Sequence, residues 1–160
     1  MNYNLNIRFM KKFIYCLMIG TAVLMTPSVH AQFRSIPSVV TDSFKVKYPN
    51  AQQVSWSDKV SDFRASFKID ADNYTARFSS KGEWLGSVKR IQQSALPAAV
   101  ADGLSKSKYA DADWKVGGVT ERYLPGGTIQ YSIFVSKSGL QKKNLLFSST
   151  GQLLKDDATL

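Results

Sequence analysis

The sequence has 160 residues, a formal net charge of +9 and 44% hydrophobic residues, with one cysteine and one histidine. This length suits one domain with a single hydrophobic core. One cysteine excludes an internal disulfide framework, and the sequence contains none of the catalytic motifs that we recognise. Composition and charge therefore favour a globular protein whose activity is not readable from a motif.

The N-terminal segment has the pattern of a secretory signal peptide. Three basic residues precede a short apolar run at 13–25, and Val29-His30-Ala31 resembles a signal-peptidase site. The run is too short to span a bilayer comfortably, so we expect cleavage after Ala31 rather than a retained anchor. Residues 1–31 are thus predicted to be removed, and the protein to be periplasmic or secreted without a transmembrane segment.

The expected cleavage removes Cys16 and His30, which are the only cysteine and the only histidine. The alternative of a lipoprotein signal at Cys16 is disfavoured because the bulky Tyr15 precedes it. A chain of residues 32–160 then has no disulfide, thiol nucleophile, imidazole base, or Cys or His metal ligand. We therefore predict no enzymatic activity, no catalytic residues, no metal and no cofactor.

The charge of the remaining chain is moderately basic. Three of the 21 basic residues lie in the signal segment, so 18 basic residues face 12 acidic ones and the net charge is +6. The basic residues are scattered, which is typical of a solvated surface and argues against nucleic acid as a partner. Attraction to an acidic partner of the cell envelope is the alternative.

The pattern after the signal predicts one helix followed by four strands. Apolar residues recur every four positions from Ile36 to Tyr48, which predicts a helix over Pro37–Lys47 that ends before Pro49. Alternating runs separated by short turns predict an antiparallel meander. The predicted strands are Val54–Ser57, Phe63–Ile69, Tyr74–Phe78 and Trp84–Val88, and Asp70 to Asn73 are assigned to a turn.

The second half repeats this order. Phe78–Leu85 recurs as Phe147–Leu154, and Ile36–Phe44 recurs as Leu96–Leu104. The fold class predicted is α+β, with two tandem repeats, 36–92 and 96–157, inside a single domain 32–160. Each repeat is one helix plus a four-stranded antiparallel meander. Both helices are expected on one face of the sheet, and the other face is expected to be open.

The segment Phe44–Ala51, followed by Val54 and Trp56, resembles the opening of the small exported PepSY-like proteins of Bacteroidetes-type bacteria. These proteins are also called beta-lactamase-inhibitor-like. The resemblance covers about residues 36–155 and implies the duplicated fold. It also implies, at the level of fold, a role in binding or restraining secreted enzymes or peptidases.

Five residues are candidates for contact with a partner on the open face. Arg64, Lys68 and Arg77 are the polar alternates of two strands, whereas Phe134 and Leu146 fall in phase with polar neighbours. This arrangement predicts an apolar centre with a basic rim, as in protein-binding patches. Two alternatives would explain the apolar residues, a bulge that shifts the strand phase and cover by a loop or tail.

The aromatic residues have two interpretations. Trp56, Trp84 and Trp114 are either core packing or part of a partner surface. Tyr48 and Tyr109 are expected to cap the helices, with hydroxyl groups reaching the backbone.

The function predicted is that of an exported non-enzymatic binding protein. Its specific version is an inhibitor or modulator of a secreted hydrolase or peptidase that acts through the open sheet face. One alternative is a small-ligand sensor or carrier of the cell envelope that uses a cleft between the repeats. Another is an envelope structural or stress protein that binds acidic polymers. The sequence names no partner.

Overall fold

The computed structural model describes residues 35–159, so the predicted signal peptide lies outside the described residues. The described residues form two α-helices, α1 (Ser38–Lys47) and α2 (Ala98–Ser105). Both begin directly after a proline, where a missing N–H removes no helical hydrogen bond. The strands are β1 (Gln52–Asp58), β2 (Phe63–Ile69), β3 (Asp72–Phe78), β4 (Trp84–Ile91), β5 (Lys115–Tyr123), β6 (Ile129–Lys137), β7 (Gln141–Ser148) and β8 (Leu153–Ala158).

The eight strands form one sheet in chain order, and each strand pairs antiparallel with the next. The predicted α+β class with an antiparallel meander is therefore confirmed. The predicted β4 was too short, because Lys89, Arg90 and Ile91 continue the ladder opposite β5. The alternation in the sequence fades after Val88, whereas the pairing with β5 does not.

The turn between β2 and β3 is shorter than predicted. Asp72 and Asn73 were assigned to this turn, but they begin β3 opposite Ile69 and Lys68. Asp70 has φ 54°, the left-handed conformation that tight hairpin turns use and that aspartate tolerates. The predicted four-residue turn was therefore wrong at its second half.

Each helix packs its apolar stripe onto a different half of the sheet. Helix α1 buries Val40 and Phe44 in a cluster with residues of β2 and β3, which are Phe63, Ala65, Phe67, Ala76 and Phe78. Helix α2 buries Val100 and Leu104 with residues of the second half, which are Tyr109, Val119, Tyr131, Ile133, Val135, Leu145 and Phe147. Burial of these side chains provides the main stabilisation of the fold.

Matching glycine turns join the sheet to the two helices. Gly82 has φ 81° and Gly151 has φ 83°, a region that side chains rarely adopt. A Cβ at Gly82 would lie 2.8 Å from the carbonyl oxygen of Val39, and one at Gly151 would overlap the carbonyl of Ala99. Each turn therefore needs glycine for its backbone conformation and for its close approach to a helix.

The tryptophans pack against the core. Trp56 and Trp84 are half-buried against the cluster of α1, and Trp114 is half-buried against that of α2.

The predicted backbone partner of the Tyr109 hydroxyl is wrong, because this hydroxyl donates to the carboxylate of Asp156. Pairing of β8 with β7 brings Asp156 to this position, which no local pattern reveals.

Candidate binding surface

Residues that alternate with the buried side chains of the sheet share its other face, here called the polar face. Cross-strand pairing connects these residues from β2 to β7, since Ser66 lies opposite Thr75, Val88 opposite Arg122, and Arg122 opposite Gln130. The polar face is Arg64, Ser66, Lys68, Asn73, Thr75, Arg77, Val88, Arg90, Thr120, Arg122, Gln130, Ser132, Phe134, Asn144 and Leu146. All five residues predicted to contact a partner lie on it.

Arg64 and Arg77 face each other across β2 and β3 and share a buried carboxylate. Asp62 accepts hydrogen bonds from Arg64 Nε at 2.7 Å and from Arg77 Nη2 at 2.9 Å, and its side chain is fully covered. The hydrogen bond from Arg64, followed by that from Arg77, holds the pKa of Asp62 below its usual range against the opposing effect of burial. The carboxylate orients both guanidinium groups.

Asp62 was missed by sequence reasoning, which assigned it no role. A usable signal was the spacing of Asp62 and Arg64, because residues two apart in extended chain point to the same side. The effect on the site is electrostatic. One negative charge offsets one of the two positive charges, so this end of the polar face is less basic than a count of arginines implies.

A shallow basic groove crosses the centre of the polar face. Its main cavity is about 370 Å³ and is lined by Lys68, Thr75, Val88 and Arg90, among others. A second cavity of about 220 Å³ shares Thr75 and Val88 and extends to Arg122. We define the basic groove by Lys68, Arg90 and Arg122 around Thr75 and Val88.

The three basic residues of the groove are available to a partner. Within residues 35–159, Lys68, Arg90 and Arg122 form no ion pair. Elsewhere in the described chain, Lys89 pairs with Asp72 at 2.6 Å, and Lys137 pairs with an aspartate at 2.7 Å. Arg90 and Arg122 were not among the predicted site residues. The predicted β4 ended before Arg90, and Arg122 was assigned no role.

Phe134 projects from the polar face without a shift of strand phase in β6. The β6–β7 register is continuous from Gln130 to Lys137, so the alternative of a phase-shifting bulge in β6 is excluded. The irregularity lies instead in β5, between Val116 and Val119. A Cβ at Gly117 would lie 2.7 Å from Phe134 Cδ1, so the ring covers this glycine and is half-buried.

Leu146 lies beside Phe134 but not beside the arginines. It stands opposite Ser132 and is diagonal to Phe134, within reach of an aromatic ring. Two strands, β4 and β5, separate β3 from β6, so Arg77 lies at least about 14 Å from Phe134 at about 4.8 Å per strand, and Leu146 lies one strand further away. The predicted apolar centre and basic rim are therefore separated. Arg64 and Arg77 lie at one end of the face and Phe134 and Leu146 at the other, whereas Lys68 belongs to the basic groove between them.

Among residues 35–159, no helix has the length and apolarity needed to cross a membrane. The same residues contain no group of three or more His, Cys, Asp or Glu side chains placed to hold a metal ion.

A family model matches most of the described chain. The family is the beta-lactamase-inhibitor-like, PepSY-like family, and the match covers residues 62–155. No curated protein matches the sequence significantly.

Solved structures from Bacteroides share the fold. A BLIP-like protein of Bacteroides fragilis has a TM-score of 0.73 at 24% identity, covering 80% of this chain and 89% of its own. A protein of Bacteroides eggerthii described as periplasmic has a TM-score of 0.71 at 25% identity, covering 78% and 89%. A DUF2874 family protein of Bacteroides ovatus has a TM-score of 0.72 at 25% identity, covering 78% and 88%.

Proposed function

The chain belongs to the beta-lactamase-inhibitor-like, PepSY-like family, and from this premise we propose that it is an exported, non-enzymatic protein that binds another protein in the cell envelope. The observation that carries the proposal is the polar face. It combines a half-buried Phe134 held over Gly117 with three basic residues that have no acidic partner in the described chain. An apolar contact beside unpaired charge is a usual feature of protein-binding surfaces.

Export is supported by two observations. The first 31 residues have the composition of a signal peptide, and a relative from Bacteroides eggerthii is described as periplasmic. The proposed location is therefore the periplasm or the exterior, after removal of residues 1–31.

A duplicated block would leave one face of the sheet free of both helices. We propose that residues 36–92 and 96–157 are copies of one unit and that both helices cover the same face. The turns at Gly82 and Gly151 support this, since they approach Val39 and Ala99 in the same way. Cross-strand pairing also supports a shared face for the two buried clusters, because Tyr74 of the first cluster pairs through Lys89 and Glu121 with Tyr131 of the second. Neither helix of the described chain then covers the polar face.

The specific version of the proposal is inhibition or modulation of a secreted hydrolase or peptidase. The family description supports this version, because it names a likeness to beta-lactamase inhibitors. The residues proposed to touch the enzyme are Arg64, Lys68, Arg77, Phe134 and Leu146. The chain should be titrated against beta-lactamases and periplasmic peptidases, and no inhibition at micromolar concentration would remove this version.

The proposed surface is tested by capture with two matched variants. Phe134→Asp places a charge at the apolar end of the polar face, whereas Val46→Asp makes the same kind of change on α1, where Val46 is 84% exposed. A partner captured from the host envelope by the unaltered protein should be lost by Phe134→Asp and kept by Val46→Asp. Equal capture by all three proteins would contradict the proposal, as would turnover of a peptide, ester or glycan by the purified protein.

A further inference from the structure

We propose that the basic groove binds an acidic peptide segment of the partner, one that carries aspartate or glutamate beside an apolar side chain. This inference rests on the proposed function and specifies the chemistry of its partner. The groove is defined by Lys68, Arg90 and Arg122, which lie on β2, β4 and β5.

The charge of this groove favours an anion as its ligand. Lys68 and Arg122 are half-buried, and no carboxylate within residues 35–159 forms an ion pair with them. Arg90 is exposed and equally without an ion pair. Two arginines can each form paired hydrogen bonds with a planar carboxylate.

The neutral groups of the groove suit a peptide. The hydroxyl groups of Ser66 and Thr75 lie 3.4 Å apart on the groove floor, and Asn73 and Thr120 line the same cavity. Hydroxyl and amide groups both donate and accept, as the backbone of an extended segment requires. The groove crosses β1 to β5, roughly 19 Å at about 4.8 Å per strand, which accommodates about six extended residues.

The apolar end of the polar face favours a protein over a phosphate polymer as the ligand of the groove. Cross-strand pairing continues from Arg90 to Thr120, Ser132 and Leu146, so the groove leads toward Leu146 and Phe134. Phosphate chains and lipid headgroups offer nothing apolar for these two side chains. Asp62 also withdraws one positive charge from the opposite end, which shortens the basic region to a length that matches a few carboxylates.

The test measures the binding of two fluorescent twelve-residue peptides to the purified protein. One repeats Glu-Ser-Glu-Leu, and the other replaces every glutamate with glutamine. We expect the glutamate peptide to bind at least tenfold more tightly than its glutamine counterpart. The double variant Arg90→Gln/Arg122→Gln should weaken binding of the glutamate peptide at least tenfold.

A second double variant controls for net charge. Lys45→Gln/Lys81→Gln removes the same two charges from exposed positions on α1 and in the β3–β4 turn. It should change the affinity less than twofold. Circular dichroism should show that both double variants keep the strand content of the unaltered protein.

Three outcomes would overturn the inference. These are no detectable binding of the glutamate peptide, equal weakening by the two double variants, and tighter binding of inorganic polyphosphate or of phosphatidylglycerol vesicles than of the glutamate peptide. Failure here is distinguishable from failure of the proposed function. If Phe134→Asp still abolishes partner capture, the polar face remains the binding surface and only the acidic segment is refuted.

Discussion

Arg77 Nη2 lies 2.9 Å from the carboxylate of Asp62, an ion pair that joins the loop before β2 to β3. The Asp62 side chain is completely covered, whereas the Arg77 side chain is 46% exposed. Arg64 donates to the same carboxylate from β2. One buried acid thus fixes two arginines on the polar face and holds a loop against the first hairpins.

Replacing Asp62 with asparagine should destabilise the protein. The change keeps the size of the side chain but removes the charge that receives the two guanidinium groups. Hydrogen bonds to charged groups contribute about 1.5–3 kcal/mol, so the free energy of unfolding should fall by about 1–3 kcal/mol. Urea denaturation at neutral pH measures this change.

The matched control for this variant is Asp70→Asn. Asp70 is exposed in the β2–β3 turn and has φ 54°, a conformation that asparagine also tolerates. Its free energy of unfolding should stay within about 0.5 kcal/mol of the unaltered protein. Equal effects of the two substitutions would show that the covered carboxylate contributes nothing specific.

The lowered pKa of Asp62 predicts how its contribution depends on pH. The folded state binds the proton less readily than the unfolded state, whose aspartate pKa is near 3.8. The stabilisation is therefore fully present above the unfolded pKa and is lost as the pH falls through the lowered pKa of the folded protein. The stability difference between the unaltered protein and Asp62→Asn should be constant from about pH 7 to 5 and shrink below about pH 4. Urea denaturation of both proteins across this pH range measures the difference. A stability difference that stays undiminished at low pH would contradict the lowered pKa of Asp62.

The glycine turns give a prediction that separates backbone conformation from packing. Gly151 and Gly126 both have positive φ, at 83° and 79°. A Cβ at Gly151 would overlap the carbonyl of Ala99, whereas one at Gly126 would meet nothing within 4 Å. Gly126→Ala should lower the free energy of unfolding by about 1 kcal/mol, because of its backbone conformation alone. Gly151→Ala should lower the free energy of unfolding by about 2–4 kcal/mol, because steric overlap with α2 adds to the conformational effect.

Thermal or urea denaturation of the two alanine variants measures this contrast. Comparable losses for both would mean that the contact between the glycine turn and α2 has no energetic weight. A larger loss at Gly151 would explain in physical terms why the Phe147–Leu154 motif carries glycine at this position.

Local patterns were sufficient to predict most of the fold. The four-residue spacing of Val40 and Phe44 predicts α1, and the alternation from Phe63 to Ile69 predicts β2, because burial on one face sets both periods. Phe134 was also placed on the polar face from its phase alone. The regular ladder of β6 and β7 preserves that phase, so the local reading and the final position agree.

The arrangement of the candidate site depends on contacts that no local pattern encodes. Asp62 and Arg77 meet only because β2 and β3 pair in one particular register. Arg90 and Arg122 belong to the groove because β4 and β5 pair across the long connection that contains α2. The separation between the basic and apolar ends likewise follows from strand order, which is a property of the whole sheet.

A second shared carboxylate lies among the tyrosines of β5 and β6. Glu121 accepts hydrogen bonds from the Tyr123 hydroxyl at 2.7 Å and from the Tyr131 hydroxyl at 3.0 Å. Burial, followed by the hydrogen bond to Glu121, raises the pKa of Tyr123 well above its usual range. Ionised Tyr123 would face a carboxylate, so the folded state resists loss of this proton.

Tyr123→Phe should therefore reduce the alkaline sensitivity of the fold. A raised pKa gives stabilisation that is fully present below the unfolded tyrosine pKa of 10.0 and is lost as the pH rises toward the folded value. At pH 9 the variant should be less stable by about 1–2 kcal/mol, because it lacks one hydrogen bond to a charged group. This difference should shrink between about pH 10 and 11 as only the unaltered protein loses the contribution of Tyr123. Urea denaturation at these pH values measures the difference, and a constant value up to pH 11 would refute the assigned role of Glu121 in keeping Tyr123 protonated.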